Sequence, residues 1–328
     1  MPEVSMREVL KARNITRNII RRTPMVRSEG LSEKTGHDVY LKYEFQQFTG
    51  SFKLRGAASA VLSLSDGDKK KGVVGVSTGN YGRALAYAAR KSGVKCVICM
   101  SELVPENKIK AVKALGAEVR ITGKSQDQAQ LEVERLVSEK GMIMLPPFDH
   151  PDVIAGQGTL GLECMEDCPQ AMEVLTPLSG GGLAAGVALA VKNIAPEIKV
   201  SGLTMENGAA MYESLKAGKP VQVEEFPSLA DSLGGGIGLD NRYTFPMVRD
   251  LLDDTILLTE AEIAAGIRYL YKEHGEIVEG AGAVGVAAIL AEKISISGPT
   301  VVICSGKNIA TELHLRIISG ETPDLSLG

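Results

Sequence analysis

Tryptophan is absent from this chain, and all aromatic residues together make up only 4% of it. The interior must therefore be built from aliphatic side chains and alanine. No apolar run reaches the roughly 20 residues that a membrane-spanning helix needs. The longest, Ala281 to Ala291, is broken by Gly282 and Gly285, so the chain is not expected to cross a membrane. Charge of one sign is not concentrated anywhere: 36 Lys and Arg oppose 40 Asp and Glu for a net charge of −4, without a basic block or an acidic tail. A nucleic-acid partner is disfavoured on that ground. Cysteine is scarce, five in all, an odd count in a long chain that argues against a disulfide framework. Cys96 and Cys99 have metal-ligand spacing, but they sit in the strand-like VKCVICM, and no second pair completes the four ligands of a structural zinc site. The N-terminal stretch has charges at helical spacing around Val9, Leu10, Ile15 and Ile19 and no continuous apolar segment, the pattern of a mature cytoplasmic start.

What the chain does have is length, 328 residues, and glycine, 36 of them, gathered in short clusters. A strand-helix rhythm begins after TGSFKLRGAASAVLSL. Gly72–Ser77, Val94–Met100 and Glu118–Thr122 read as strands, with Tyr81–Arg90, Asn107–Leu115 and Gln126–Glu139 as helices after them. These pairs make one parallel-sheet unit. LPPFDHP (Leu145 to Pro151) interrupts it with three prolines, and strands at Val174–Leu178, Val200–Met205, Thr255–Leu258 and Thr300–Cys304 build a second α/β unit. An extended or hairpin-like stretch covers His37–Phe45.

Four constellations could carry chemistry. Ser179-Gly180-Gly181-Gly182 lies between a strand and a helix opening at Leu183, where consecutive amides and the helix dipole suit a phosphate. No Lys-Ser/Thr follows, so this is not a nucleoside-triphosphate loop, and a tight turn is the alternative. Gly280-Ala-Gly282-Ala-Val-Gly285 matches the dinucleotide fingerprint formally, but close helix packing explains it better in this context. Gly75-Val76-Ser77-Thr78-Gly79 matches a nucleophile elbow, although the histidines are only His37, His150, His274 and His314, and neither His274 nor His314 carries a base signature. Its other reading is a polar loop at a helix N-terminus that suits a carboxylate. Lys53, flanked by Phe52 and Leu54 at a helix start, is either a surface lysine or a buried amine with a lowered pKa, the state that Schiff-base chemistry requires.

Six ordered blocks, TGSFKLRGA, STGNYGRALAYAA, PPFDHPDVIAGQGT, PLSGGGLAAG, VEGAGAVGVAA and VVICSGKNI, span nearly the whole chain. Together they resemble the fold-type II pyridoxal-phosphate enzymes, in the threonine dehydratase and serine racemase group. DSLGGGIGLDNRYTF with PLSGGGLAAG is most similar to the hydroxyectoine-utilisation dehydratases. The resemblance implies a tryptophan synthase β-like fold of two α/β domains with mainly parallel sheets and the active site in the cleft. Residues 1–56 and 147–328 would form a large cofactor-binding domain and 57–146 a small mobile one, with no appended regulatory domain. It further implies Lys53 as the Schiff-base lysine with Phe52 beside the cofactor ring. Gly180, Gly181, Gly182 and Leu183 would hold the phosphate of pyridoxal 5′-phosphate, Asn80 its 3′-oxygen, and Ser305 would face the pyridine nitrogen. Ser77, Thr78, Gly79, Asn80 and Tyr81 would contact the substrate.

The implied reaction is α,β-elimination from a β-hydroxy-α-amino acid, of the serine, threonine, hydroxyaspartate or phenylserine class, to a 2-oxo acid and ammonia. The implied assembly is a cytoplasmic homodimer. Racemisation on the same cofactor is the alternative, with Thr78 as its second proton-transfer group. A Ser77 hydrolase or a non-catalytic amino-acid-binding protein belongs to another class. Three positions depart from the group. Tyr81 stands where His is usual, and either packs between domains or, with Phe48, enlarges the pocket. Tyr212 replaces an acidic cation ligand, which leaves Glu206 and Ala210 as a doubtful remnant of a metal site. Lys307 has no account from sequence.

Overall fold

The computed structural model describes residues 4–77, 79–104 and 106–325, and for Asn107, Gln126 and Asp127 the backbone alone. Among the described residues ten strands form two sheets: β1 (Met25–Arg27), β2 (Val39–Lys42), β3 (Val73–Val76), β4 (Cys96–Met100), β5 (Glu118–Ile121), β6 (Ile143–Met144), β7 (Glu173–Pro177), β8 (Lys199–Met205), β9 (Asp254–Leu258) and β10 (Thr300–Ile303). Six strands join in the order β1-β2-β10-β7-β8-β9 and four in the order β5-β4-β3-β6. Every pairing is parallel except that of β1 with β2.

The sequence accounts for this arrangement. β7 and β10 are wholly buried runs, as strands covered by helices on both faces must be. On one face of the larger sheet, Leu41, Leu175, Leu203 and Val302 pack with Ile263, Ile267, Val284 and Ala287 from helices Glu260–His274 and Gly280–Leu290. On the other, Val174, Val200, Val301 and Ile303 pack with Leu160, Val187 and Val191 from helices Pro151–Asp167 and Gly182–Ile194. The smaller sheet has its own two-sided core. Val73, Cys96 and Ile98 meet helices Lys53–Ser63 and Asn80–Lys91, while Val74, Val97 and Cys99 meet helix Gln126–Lys140.

Alternation along β4 therefore sends Cys96 and Cys99 to opposite faces, which disposes of a shared metal ion. Burial pushes their thiols up, to about 12 and about 11. The cores are aliphatic and alanine-rich, as the aromatic shortage required. The glycines of GAGAVG serve packing: a Cβ on Gly280 would stand 2.1 Å from the Leu229 carbonyl oxygen, and one on Gly285 would stand 2.5 Å from Val302 Cγ1.

Differences from the sequence reading are local. The stretch from His37 is not a hairpin in itself: β2 runs parallel to β10 and antiparallel to β1, and a short 3-10 turn follows at Glu44–Gln46. The strand expected from Val94 begins at Cys96, because Gly93 turns left-handed (φ 66°) and the Val94 N–H donates back to the Ala89 carbonyl. Among the described residues no helix is long and apolar enough to cross a membrane.

Candidate active site

The carboxyl ends of β7 and β10 open onto one cleft lined by Phe52, Lys53, Asn80, Phe148, Ser179 to Leu183, Ser232, Glu279 and Ser305, where open α/β sheets bind ligands. β7 ends at Pro177, and four residues separate it from helix Gly182–Ile194. Gly181 joins them at φ 86°, a left-handed conformation that disfavours any side chain. Space makes the same demand, since a Cβ on Gly180 would meet the Phe148 ring at 2.5 Å and one on Gly182 the Phe148 Cα at 3.0 Å. Phe148 is held over the loop by its neighbour Asp149, whose carboxylate accepts the backbone N–H groups of Arg242, Tyr243 and Thr244 at 2.8, 2.8 and 2.9 Å. The first N–H groups of a helix have no partner within it, and here they open into the cleft with the positive end of the helix dipole.

Lys53 is the first residue of helix Lys53–Ser63. Its Nζ donates to the Pro147 carbonyl at 3.2 Å and lies 5.2 Å from the centre of the Phe52 ring. Burial of the amine lowers its pKa from 10.5 to about 8, against the pull of nearby Glu279. Two residues on, Arg55 is fully buried. It donates to Glu44 Oε1 at 2.7 Å and Glu163 Oε1 at 2.7 Å, while fully buried Lys42 pairs with Glu163 at 3.0 Å and Asp167 at 2.9 Å. Burial alone would raise Glu163, but Arg55 and Lys42 outweigh it and hold its carboxyl below the usual range. This network ties β2, the turn after it and helix Pro151–Asp167 to the turn that carries Lys53. Removing one partner would leave a buried charge uncompensated, a cost of about 3–5 kcal/mol.

Ser305 follows β10 and is buried, its Oγ 3.4 Å from the Ala281 carbonyl, and its own carbonyl accepts the Phe52 N–H at 2.9 Å. Asn80 opens helix Asn80–Lys91 and reaches the cleft from the smaller sheet. Of the residues singled out in the sequence, Phe52, Lys53, Asn80, Gly180, Gly181, Gly182, Leu183 and Ser305 thus line one cleft. Ser77 and Gly79 lie beside it. The Ser77 hydroxyl accepts the N–H groups of Gly79 at 3.3 Å and Gly82 at 2.9 Å. It caps the helix, and no histidine is among its hydrogen-bond partners. Thr78 lies outside the described residues.

Tyr81 requires a correction. Its ring is buried in the core of the smaller sheet, and its hydroxyl donates to the Leu145 carbonyl at 2.7 Å. Burial raises its pKa, and it is not among the residues lining the cleft. Its side chain packs, because the first turn of the helix points residue 80 into the cleft and residue 81 into the core of the smaller sheet. Phe48 likewise lies outside the lining, half-exposed and stacked on Tyr87 at 5.7 Å. Glu206 is exposed and Ala210 buried without a ligating atom in its side chain, and no group of three His, Cys, Asp or Glu that could hold a metal occurs among the described residues. Lys307 is exposed, its backbone N–H donating to the Gly50 carbonyl at 2.9 Å and its carbonyl accepting the Ile309 N–H at 2.9 Å.

Phe148, Ser232 and Glu279 were missed. Glu279 had a signal: it is a lone acid between Val278 and a run without a charge from Gly280 to Ala291.

A cleft that presents a weakly basic amine at one end and a glycine-built helix N-terminus at the other defines an enzyme class in which a lysine captures the carbonyl of a phosphorylated cofactor. The chain belongs to the pyridoxal-phosphate dependent enzyme family, whose model matches residues 16–306, and within it to the fold-type II group. It is 55% identical over 321 residues to a protein of Sinorhizobium fredii named "Putative threonine dehydratase", covering 98% of this chain and 97% of that one. To the L-threonine ammonia-lyase of Thermotoga maritima it is 39% identical over 317 residues, covering 96% of this chain and 78% of the other. The structure of maize serine racemase superposes with a TM-score of 0.91 at 30% identity, covering 97% of this chain and 98% of that one.

Pyridoxal 5′-phosphate is the cofactor, and the residues present fit it. The steric demand at Gly180 to Gly182 leaves backbone donors for a dianion, the lowered pKa of Lys53 leaves a nucleophile for an aldehyde, and buried Ser305 offers a neutral hydroxyl to a ring nitrogen.

Proposed function

We infer that this protein is a pyridoxal-phosphate-dependent dehydratase, an ammonia-lyase that converts a β-hydroxy-α-amino acid to a 2-oxo acid and ammonia. The observation that carries the reading is the placement of Lys53 and the Gly180–Leu183 turn in one cleft, in a chain whose curated relatives are named for this reaction. When bound, the cofactor supplies an aldehyde for an amino group and a conjugated ring that takes up electrons from the bond broken at Cα.

The chain's own groups do the rest. The amides of Gly180, Gly181, Gly182 and Leu183 would hold the phosphate, and Phe52 would flank the ring. Lys53 Nζ would hold the cofactor's aldehyde, and the same amine, when free, would accept the substrate's Cα proton, a task suited to a base with a pKa of about 8. Asn80 would orient the ring through its 3′-oxygen. Ser305, a hydroxyl and not a carboxylate, would face the ring nitrogen without holding a proton on it, which would suit elimination better than transamination. Ser77, Thr78 and Gly79 receive the substrate carboxylate at the head of helix Asn80–Lys91. The unit 57–146, with its own core, closes over 1–56 and 147–328 and keeps water out until the β-hydroxyl has left. The five buried free thiols suit a reducing cytoplasm, and a homodimer is the expected assembly.

The test is product analysis with L-serine, L-threonine, 3-hydroxyaspartate and phenylserine. At least one should give equal amounts of 2-oxo acid and ammonia, and none should with Lys53→Ala. The likeness to maize serine racemase favours one second reading, racemisation. Substrate recovered part-way from deuterated water should be little inverted. Extensive inversion with deuterium at Cα and little 2-oxo acid would put the racemase in the dehydratase's place.

A further inference from the structure

We propose that Glu279 is the positioning residue that fixes the side-chain amide of Asn80 and clasps the smaller-sheet unit onto the larger one at the cleft. This rests on the assignment of the cleft as the cofactor site. Glu279 directly precedes helix Gly280–Leu290, yet its side chain does not cap that helix. It turns into the cleft, where it is only 4% exposed. Among the described residues no basic side chain forms an ion pair with it, an unusual state for a buried carboxylate.

Hydrogen bonds take the place of an ion pair. Oε1 accepts from Asn80 Nδ2 at 2.7 Å and Oε2 accepts the backbone N–H of Asn308 at 2.8 Å. The Asn308 side chain completes the ring, its Nδ2 donating to Asn80 Oδ1 at 2.5 Å and to the Thr49 carbonyl at 3.0 Å, while its Oδ1 accepts from Arg83 at 3.3 Å. Asn80 is thereby held at both ends, its nitrogen by Glu279 and its oxygen by Asn308. An amide gripped by an acceptor on one side and a donor on the other cannot flip. Asn80 and Arg83 lie on the helix that follows β3 of the smaller sheet, whereas Glu279, Thr49 and Asn308 belong to segments around the larger one. The same bonds therefore orient a cleft side chain and join the two units. Gly306 makes room for the carboxylate, since a Cβ there would stand 2.4 Å from Glu279 Oε1.

Cofactor-free protein provides the test, by hydrogen exchange. Glu279→Gln keeps the shape but turns an amide donor toward either Asn80 Nδ2 or the Asn308 N–H, so one bond of the clasp is lost. Exchange in segments 80–85 and 306–310 should rise about tenfold or more, the scale of a lost charge-assisted bond, with β7 unchanged. Asn308→Ala should do the same in 80–85. The double variant should be no worse than the worse single, because both open one clasp. In the loaded enzyme, Glu279→Gln should lower kcat about tenfold with KM within about twofold, and Glu279→Asp should recover part of the loss. Unchanged exchange, or effects that multiply in the double variant, would overturn the clasp. Were Glu279→Gln not to fold, Asn308→Ala alone would decide by the same readout. Because exchange is read without cofactor or substrate, failure here is distinct from failure of the dehydratase assignment, which product analysis reports.

Discussion

Lys53 should capture pyridoxal phosphate at neutral pH far faster than an ordinary lysine, and the pH dependence of that capture follows from its surroundings. Burial lowers the amine from 10.5 to about 8. At pH 7 the reactive neutral fraction rises from about 0.03% to about 9%, a gain of about 300-fold. The sign is fixed by the chemistry: only the neutral amine attacks an aldehyde, so the rate climbs with pH and levels once Lys53 has lost its proton. The same shift bears on stability. Between about pH 8 and 10.5 the folded state binds fewer protons than the unfolded chain, so this group makes the cofactor-free protein more stable as pH rises through that window. The assay mixes cofactor-free protein with excess pyridoxal phosphate from pH 7 to pH 10.5 and follows the new absorbance band. The rate should rise up to about pH 8 and flatten above it. A rate that keeps rising about tenfold per pH unit up to pH 10 would show that Lys53 is an ordinary amine, and would refute the reasoning.

Other substitutions test separate parts of the cleft. Gly181→Ala forces a side chain into a left-handed position and places its Cβ 2.8 Å from Met211 Cε and 3.0 Å from Thr244 Cβ. Strain and overpacking together should cost roughly 2–5 kcal/mol, seen as a lower Tm and weaker cofactor binding by titration. Ser305→Ala should keep the cofactor but lose roughly ten- to a thousandfold in kcat, and undiminished turnover would remove Ser305 from the site. Tyr81→Phe deletes the bond to the Leu145 carbonyl and should cost about 1–2 kcal/mol in denaturant unfolding without reordering the substrates. A changed ranking would return Tyr81 to the pocket.

Chain order and periodicity made most of the fold legible. Strands β3, β4, β7, β8, β9 and β10 are largely apolar runs and β5 an alternating one, all separated by stretches of helical spacing, a rhythm that leaves few alternatives to a parallel sheet. β1 and β6, three and two residues long, carry no pattern of their own and exist because a neighbouring strand offers them an edge. The glycine turn could be read because φ and steric demands exclude other residues there. Lys53 could be read only through the family motifs, since a lysine at a helix start looks the same whether exposed or enclosed. For Tyr81 the sequence leaves packing and pocket both open, because spacing does not say which way the first turn of a helix faces. Glu279 was passed over because its partners, Asn80 and Asn308, are 199 and 29 residues away, a juxtaposition that no local pattern records.

The central claim is that Lys53 holds the cofactor in this cleft, and the most direct measurement is a peptide map of the holoenzyme after borohydride reduction. Reduction makes the link between cofactor and lysine permanent, so digestion and mass spectrometry locate it. The account predicts one pyridoxyl group per chain, on Lys53, with loss of the absorbance band and of activity in parallel. A label on Lys42 or Lys307, or none on Lys53 in active enzyme, would contradict it.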